Sequence, residues 1–146
     1  MLTPYVRGFL RSSLVWLVVG VALGIGMAWW PADHLAYRPA HAHANLLGFV
    51  SLFVFGVGYH VLPRFVGAPL TEGQARWAMR QLWIQNAGLA LQVAGWLARP
   101  WHGSLGQGLL AAGAPVSAFG LGIFVVIAWR LTGAGRGIRL EPPDAS

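Results

Sequence analysis

Residues 39–63, PAHAHANLLGFVSLFVFGVGYHVLP, run for 25 positions between Arg38 and Arg64 without a formal charge. Their only basic side chains are His41, His43 and His60. About 20 apolar residues suffice for a helix to cross a hydrocarbon core, and backbone surrounded by lipid must satisfy its own hydrogen bonds. The stretch therefore predicts a transmembrane helix, and the charges around it mark out others. Residues 12–32 lie between Arg11 and Asp33, residues 81–98 between Arg80 and Arg99, and residues 100–129 end at Arg130, with the span itself over about 104–129. The expected fold is an all-α integral membrane protein. It is a four-transmembrane-helix bundle forming one domain over residues 1–132, followed at 133–146 by a Gly-, Pro- and charge-rich cytoplasmic tail expected to be mobile.

Composition agrees. Of 146 residues, 56% are hydrophobic and 10% charged, against about 25% charged in an ordinary soluble chain. Too little polar material is present to coat a globule, and too much apolar material for a disordered chain. The absence of cysteine excludes a disulfide framework. A cleavable signal peptide is the competing reading of residues 12–32, but its apolar run is long for one, and Trp29 and Trp30 form an aromatic belt at its end.

The net charge of +6 would fit a nucleic-acid partner if it were clustered, and it is not. In a four-span topology Arg7, Arg11, Arg64, Arg76, Arg80, Arg130, Arg136 and Arg139 fall on one side, and Arg38 and Arg99 on the other. Loops rich in arginine stay in the cytoplasm, so both termini are expected there, in a multi-pass protein of a bacterial-type inner membrane. The charge is a topology signal, and no nucleic acid is called for.

Ionisable groups at membrane depth are functional candidates by default. His34, His41, His43 and His102 belong to the outer end of this topology, and His60 to the inner end. Histidines among headgroups need no site, and that reading stands beside the functional one for His34 and His102. His41 and His43, two positions apart, point to nearly opposite faces of a regular helix and do not chelate one metal together. His60 follows His43 by 17 residues, roughly 25 Å along the axis, so it belongs to a possible separate inner site. Neutral imidazoles in such surroundings suit a transition metal or a haem iron. A bare ion would need more converging ligands, whereas a porphyrin needs a flat apolar slot with one or two axial nitrogens. Leu46, Leu47, Phe49 and Phe53, with Gly48, Gly56 and Gly58 allowing close approach, favour haem. The opposing reading is that such glycines and aromatics serve helix packing.

The run from Tyr37-Arg38-Pro39-Ala40-His41-Ala42-His43-Ala44-Asn45 to Gly58-Tyr59-His60-Val61-Leu62-Pro63-Arg64 resembles the second transmembrane helix of haem–copper oxidase subunit 1, on its nitric oxide reductase-like branch. The resemblance is centred on residues 37–70. In that family a histidine followed two residues later by asparagine ligates the low-spin haem b. His43-Ala44-Asn45 matches, so the resemblance implies haem b with His43 as axial ligand to its iron. It also brings Asn45 and Gly48 to the cofactor and makes Arg38 a propionate clamp, although a snorkelling arginine needs no partner. The second axial position is open to His102 or His41, with His34 and Met27 behind them, or stays vacant for a gas. No pair of adjacent histidines is present for copper.

The family's large subunit looks like arcs of four helices about a pseudo-threefold axis. A single arc implies association with further copies of itself. The function implied is haem b binding in electron transfer, or binding of nitric oxide or oxygen, with a redox partner or a gas as ligand. The alternatives are a non-catalytic accessory or assembly subunit with structural histidines, and a gas-reducing enzyme formed only on oligomerisation. Two features of the sequence suggest helix contacts, either within the bundle or in an oligomer: the pairs Gly20–Gly24 and Ala22–Gly26 in the first span, and the stripe Ala114, Ala118 and Gly122 in the fourth.

Overall fold

The computed structural model describes residues 1–29 and 34–134, the side chains of 34–36 and 134 excepted. The end of the expected first span, the side chain of His34 and nearly all of the expected tail lie outside the described residues. Those described form four long helical rods and no strand. The first is α1 (Pro4–Trp29); the second is continuous through α2 (His34–His43), a π-helical segment (Ala44–Val50) and α3 (Ser51–Phe65); the third is α4 (Glu72–Ala98) and the fourth α5 (Gly103–Ala134).

Three of the rods, Pro4–Trp29, Tyr37–Phe65 and Gly103–Gly133, are long and apolar enough to cross a membrane. Their outward surfaces are greasy: Val18 and Trp129 are 68% and 79% exposed. Exposed apolar surface on this scale marks a membrane-facing or interacting protein, and the chain is accordingly a multi-pass membrane protein.

The third rod differs in a way that the pattern of charges obscures. It begins at Glu72, well before residue 81, because Thr71 caps it: the Thr71 side chain accepts from the Gln74 backbone N–H, and Gln74 reciprocates to the Thr71 N–H at 2.8 Å. Arg76 and Arg80, which look like boundary markers in the sequence, lie inside the helix. Its 27 residues are enough to span, yet it is the one long helix outside the apolar set, because its buried face carries Gln81, Gln85 and Gln92. The apolar or small residues Trp83, Ala87, Ala90 and Ala94 point outward instead. This helix carries its amides inside, among Leu82, Leu89 and Val93, and an apolar surface outside.

Hydrogen bonds and missing side chains hold α4 to its neighbours. Gln92 Nε2 donates to Ser117 Oγ at 2.7 Å, the Tyr59 hydroxyl donates to Gln81 Oε1, and Trp16 Nε1 donates to Asn86 Oδ1 at 2.9 Å. Against α5 the backbones nearly touch. A Cβ on Gly88 would lie 2.6 Å from the Ser117 nitrogen, one on Gly113 2.7 Å from the Gly88 carbonyl oxygen, and one on Gly106 2.8 Å from that of Gly95. The contact face of α5 is thus Gly106, Gly113, Ser117 and Gly120, spaced largely by seven. The expected stripe of Ala114, Ala118 and Gly122 points elsewhere: both alanines are exposed, and nothing lies within 4 Å of a Cβ built on Gly122. In α1 the expectation fares better, since Gly20, Gly24 and Gly26 face Asn45, His41 and Tyr37 of the second rod, while Ala22 is exposed.

The rods alternate in direction, so the end of α1, the start of α2, the end of α4 and the start of α5 gather at one pole. At the opposite pole Val6, Phe9, Leu52, Phe55, Tyr59, Leu82 and Ile127 form the larger core. Its rings pack edge to face, as in the Phe9–Phe55 pair at 6.0 Å and 83°. A smaller core of Ala40, Ala44, Leu89 and Val93 lies at the histidine pole.

Gly113→Leu should lower stability in detergent by about 1–3 kcal/mol or more, because backbone rather than a flexible side chain blocks the new atoms. Gly108→Leu, on the same helix beside open space, should leave the thermal midpoint unchanged. Equal losses would show that α4 and α5 do not meet along this glycine face.

Candidate functional site

The local geometry begins at Pro39. The His43 side chain folds back one turn, and its Nδ1 lies 2.8 Å from the Pro39 carbonyl oxygen. A carbonyl only accepts, so Nδ1 carries the proton and the lone pair of the neutral ring sits on Nε2. No hydrogen bond reaches Nε2 among the described residues, and it is not a sealed-in orphan. A backbone carbonyl holding one ring nitrogen so that the other stays a free donor of electrons is the usual preparation of a metal-ligating histidine.

His41 is arranged differently. Its Nδ1 donates to the Gly20 carbonyl oxygen of α1 at 2.7 Å. The Asn45 amide nitrogen lies 3.3 Å from both ring nitrogens, against the ring, and donates to the His41 carbonyl oxygen at 3.0 Å. The imidazole is thus held within the bundle by Gly20 and Asn45. The ring also fills the notch above Gly24, where a Cβ would come within 3.1 Å of it, and Asn45 fills the notch above Gly20. His41 and Asn45 therefore pin the second rod to α1.

Two positions further on, His43 faces α4 instead. Its ring lies 5.9 Å from that of Trp96, and the Arg99 guanidinium stacks on the same indole, 5.3 Å from the Trp96 ring centre. Trp96 Nε1 is buried and has no hydrogen-bond partner. Trp96 and Arg99 are the residues that sequence reasoning missed: neither stands in a motif, and only the packing of α4 beside α2 brings them to His43.

The helix changes winding immediately after His43. Through Ala44–Val50 it is π-helical, and at its end Ser51 donates to the Leu46 carbonyl oxygen, five residues back, through both its backbone N–H and its hydroxyl, the latter at 2.8 Å. A π segment turns whatever follows relative to whatever precedes it, and such segments are frequent at functional sites. Here it follows His43 directly and contains Gly48, whose missing side chain leaves room for Trp16 and Leu89: a Cβ would lie 2.6 Å from Trp16 Cβ and 2.9 Å from Leu89 Cδ2. The glycine expected to admit a cofactor plane admits two neighbouring helices.

The other expected residues scatter. Arg38 is exposed, one residue before the proline that holds His43. His102 is exposed in the turn between α4 and α5, at the same pole as His43; its backbone N–H bonds the Ala98 carbonyl at 2.8 Å. Met27 is half-buried in α1. His60 lies at the opposite pole, lining a cavity of about 200 Å³ with Tyr5, Tyr59 and Arg64. Among the described residues no three His, Asp or Glu side chains converge on a point that could hold a metal ion.

Over 87 residues, 57% of its length, the chain is 28% identical to two sequences of cytochrome c oxidase subunit 1 from Thermus thermophilus. The match covers 81% of the first and 16% of the second, so the chain spans a small part of the longer relative. No family model matches the chain, and no solved structure does. The chain thus resembles a segment of a membrane oxidase subunit.

Because the His41 ring is tied to α1 through the Gly20 carbonyl, whereas His43 bonds only within its own helix, the two should separate in a stability assay. His41→Ala should cost about 1–3 kcal/mol through the stranded Gly20 and Asn45 groups, read as a lower thermal midpoint by circular dichroism. His43→Ala should cost distinctly less, and the reverse order would contradict these assignments.

Proposed function

We propose that the chain is a haem b-binding membrane protein built like the first four-helix arc of haem–copper oxidase subunit 1, working in electron transfer or in the binding of nitric oxide or oxygen. One observation carries the reading: His43 gives its Nδ1 proton to the Pro39 carbonyl and keeps the Nε2 lone pair free. This is the histidine of the His43-Ala44-Asn45 motif in a chain that resembles the oxidase subunit.

The surroundings fit such a group. Haem presents an electron-poor iron and two carboxylates, and His43 Nε2 suits the first. The unpartnered Trp96 Nε1–H and the Arg99 guanidinium beside it, with Arg38 at the same pole, suit acceptors carrying negative charge. When bound, haem supplies a reversible one-electron couple and a site for a diatomic gas. The chain's own work is then to fix the imidazole orientation through Pro39, to raise its donor strength by that hydrogen bond, and to keep α2 in register through His41 and Asn45.

In this reading α4 is the third of four spans, its amides covered by α3 and α5, and both termini face the cytoplasm on the arginine-rich side. The second axial position belongs to His102 or to a residue of a second copy in a homo-oligomer, or stays open for the gas. His41 contributes least to it, since binding iron would cost it its partners in the bundle. That same anchoring of His41 in the bundle favours the second reading, an accessory or assembly subunit whose histidines are structural.

The visible spectrum of the full chain purified from haem-supplied cells decides between them. A Soret band is expected, lost in His43→Ala and kept in His41→Ala; a colourless wild-type protein would leave the accessory reading. Carbon monoxide added to the reduced protein should shift the band if the sixth position is open and leave it unchanged if a second histidine fills it.

A further inference from the structure

A large groove lies far from His43, at the pole of His60. It occupies about 740 Å³ between the first turns of α4 and the second half of α5. That size is within the range of about 300–1,000 Å³ usual for small-molecule sites. Trp77 of α4 and Phe119, Ile123 and Val126 of α5 wall it, and Arg130 belongs to its lining. Gly122 lies on its surface, with nothing within 4 Å of where a Cβ would be. The tight glycine packing of α4 on α5 involves Gly88, Gly95, Gly106, Gly113 and Gly120, so the groove opens where that face ends.

The charges around the groove are one-sided. Among the described residues Glu72 is the one carboxylate side chain, and it is directed to Arg76 at 3.8 Å. Arg80 stacks on Trp77, 4.9 Å from the ring centre. Arg130 is exposed and has no ion pair among the described residues. An occupant that satisfies both features must be apolar along most of its length and anionic at one end. It must also enter from the membrane side, because Phe119 and Val126 are exposed on the greasy surface of α5. A second copy in the same orientation would bring its own arginines to this end and repel.

We propose that the α4–α5 groove is a binding site for an anionic phospholipid, its acyl chain lying along Phe119, Ile123 and Val126 and its phosphate meeting Arg130. The site rests on the membrane reading and is independent of haem. It uses the preference of basic residues at the cytoplasmic boundary for anionic headgroups and adds what a flat surface lacks, a slot for the chain.

The test is native mass spectrometry of the full chain, equilibrated in detergent with equal amounts of phosphatidylglycerol and phosphatidylcholine. One phosphatidylglycerol should be retained per chain in preference to phosphatidylcholine. Arg130→Gln should reduce that retention about fivefold and abolish the preference. Gly122→Leu, which fills the groove, should reduce retention of both lipids, while Arg64→Gln, an exposed arginine at the same pole outside the groove, should behave as the wild type. Equal retention of the two lipids by the wild type, or an equal loss in Arg64→Gln, would overturn the site. A lipid-free dimer that Gly122→Leu dissociates would overturn it in favour of a second copy. None of these variants should alter the Soret band, so failure here and failure of the haem reading are separable.

Discussion

In a bilayer an apolar side chain gains nothing by turning from lipid toward another helix, so helices associate through close packing and hydrogen bonds. The whole bundle answers to that constraint. Its interfaces are built from glycines that let backbones meet, at Gly88 and Gly113 or Gly95 and Gly106, and from amides that bond across them, at Gln92 and Ser117 or Asn86 and Trp16. The bulky residues that would form the core of a soluble protein are largely displaced to the outside. They assemble inward mainly at the Phe9, Phe55 and Tyr59 pole, with a smaller cluster around Leu89 and Val93.

The same rule explains how two histidines so close in sequence come to different ends. Gly20 and Gly24 let α1 approach the second rod closely enough for the Gly20 carbonyl to accept the His41 Nδ1–H and for Asn45 to lie against the ring. That contact fixes the rotation of the helix. With His41 turned into α1, His43 is carried round to α4 and Trp96, and the π-helical turn then redirects the remainder so that Gly48 and Leu52 face inward. A structural histidine thereby orients its neighbour, and the helix that presents the free Nε2 is anchored by the residue beside it.

Much of this is legible in the sequence, and the misses share a cause. The long apolar helices follow from composition, because a run without charge has one stable form in lipid. The opposed directions of His41 and His43, and the distance of His60 from both, follow from helical periodicity alone. The start of α4 lies ahead of where the charges put it, since Arg76 and Arg80 look like edges while a capped helix continues past the last apolar residue at little cost. On α5, spacing by four, as in Ala114, Ala118 and Gly122, and spacing by seven, as in Gly106, Gly113 and Gly120, are both present. Only the partner helix selects between them, and it selects the second. Trp96 and Arg99 carry no signature until α2 lies beside them.

Two properties are contained in single segments: the chain is helical, and most of it is apolar enough for a membrane. Local periodicity and transfer from water set them, so they are readable before any fold is known. Tertiary packing decides which histidine is anchored to a neighbouring helix, which glycines are contacts and which border a groove, and why the least apolar long helix lies among the others. Those are relations between segments. They depend on how closely two backbones approach and at what rotation, and no single stretch of sequence contains that information.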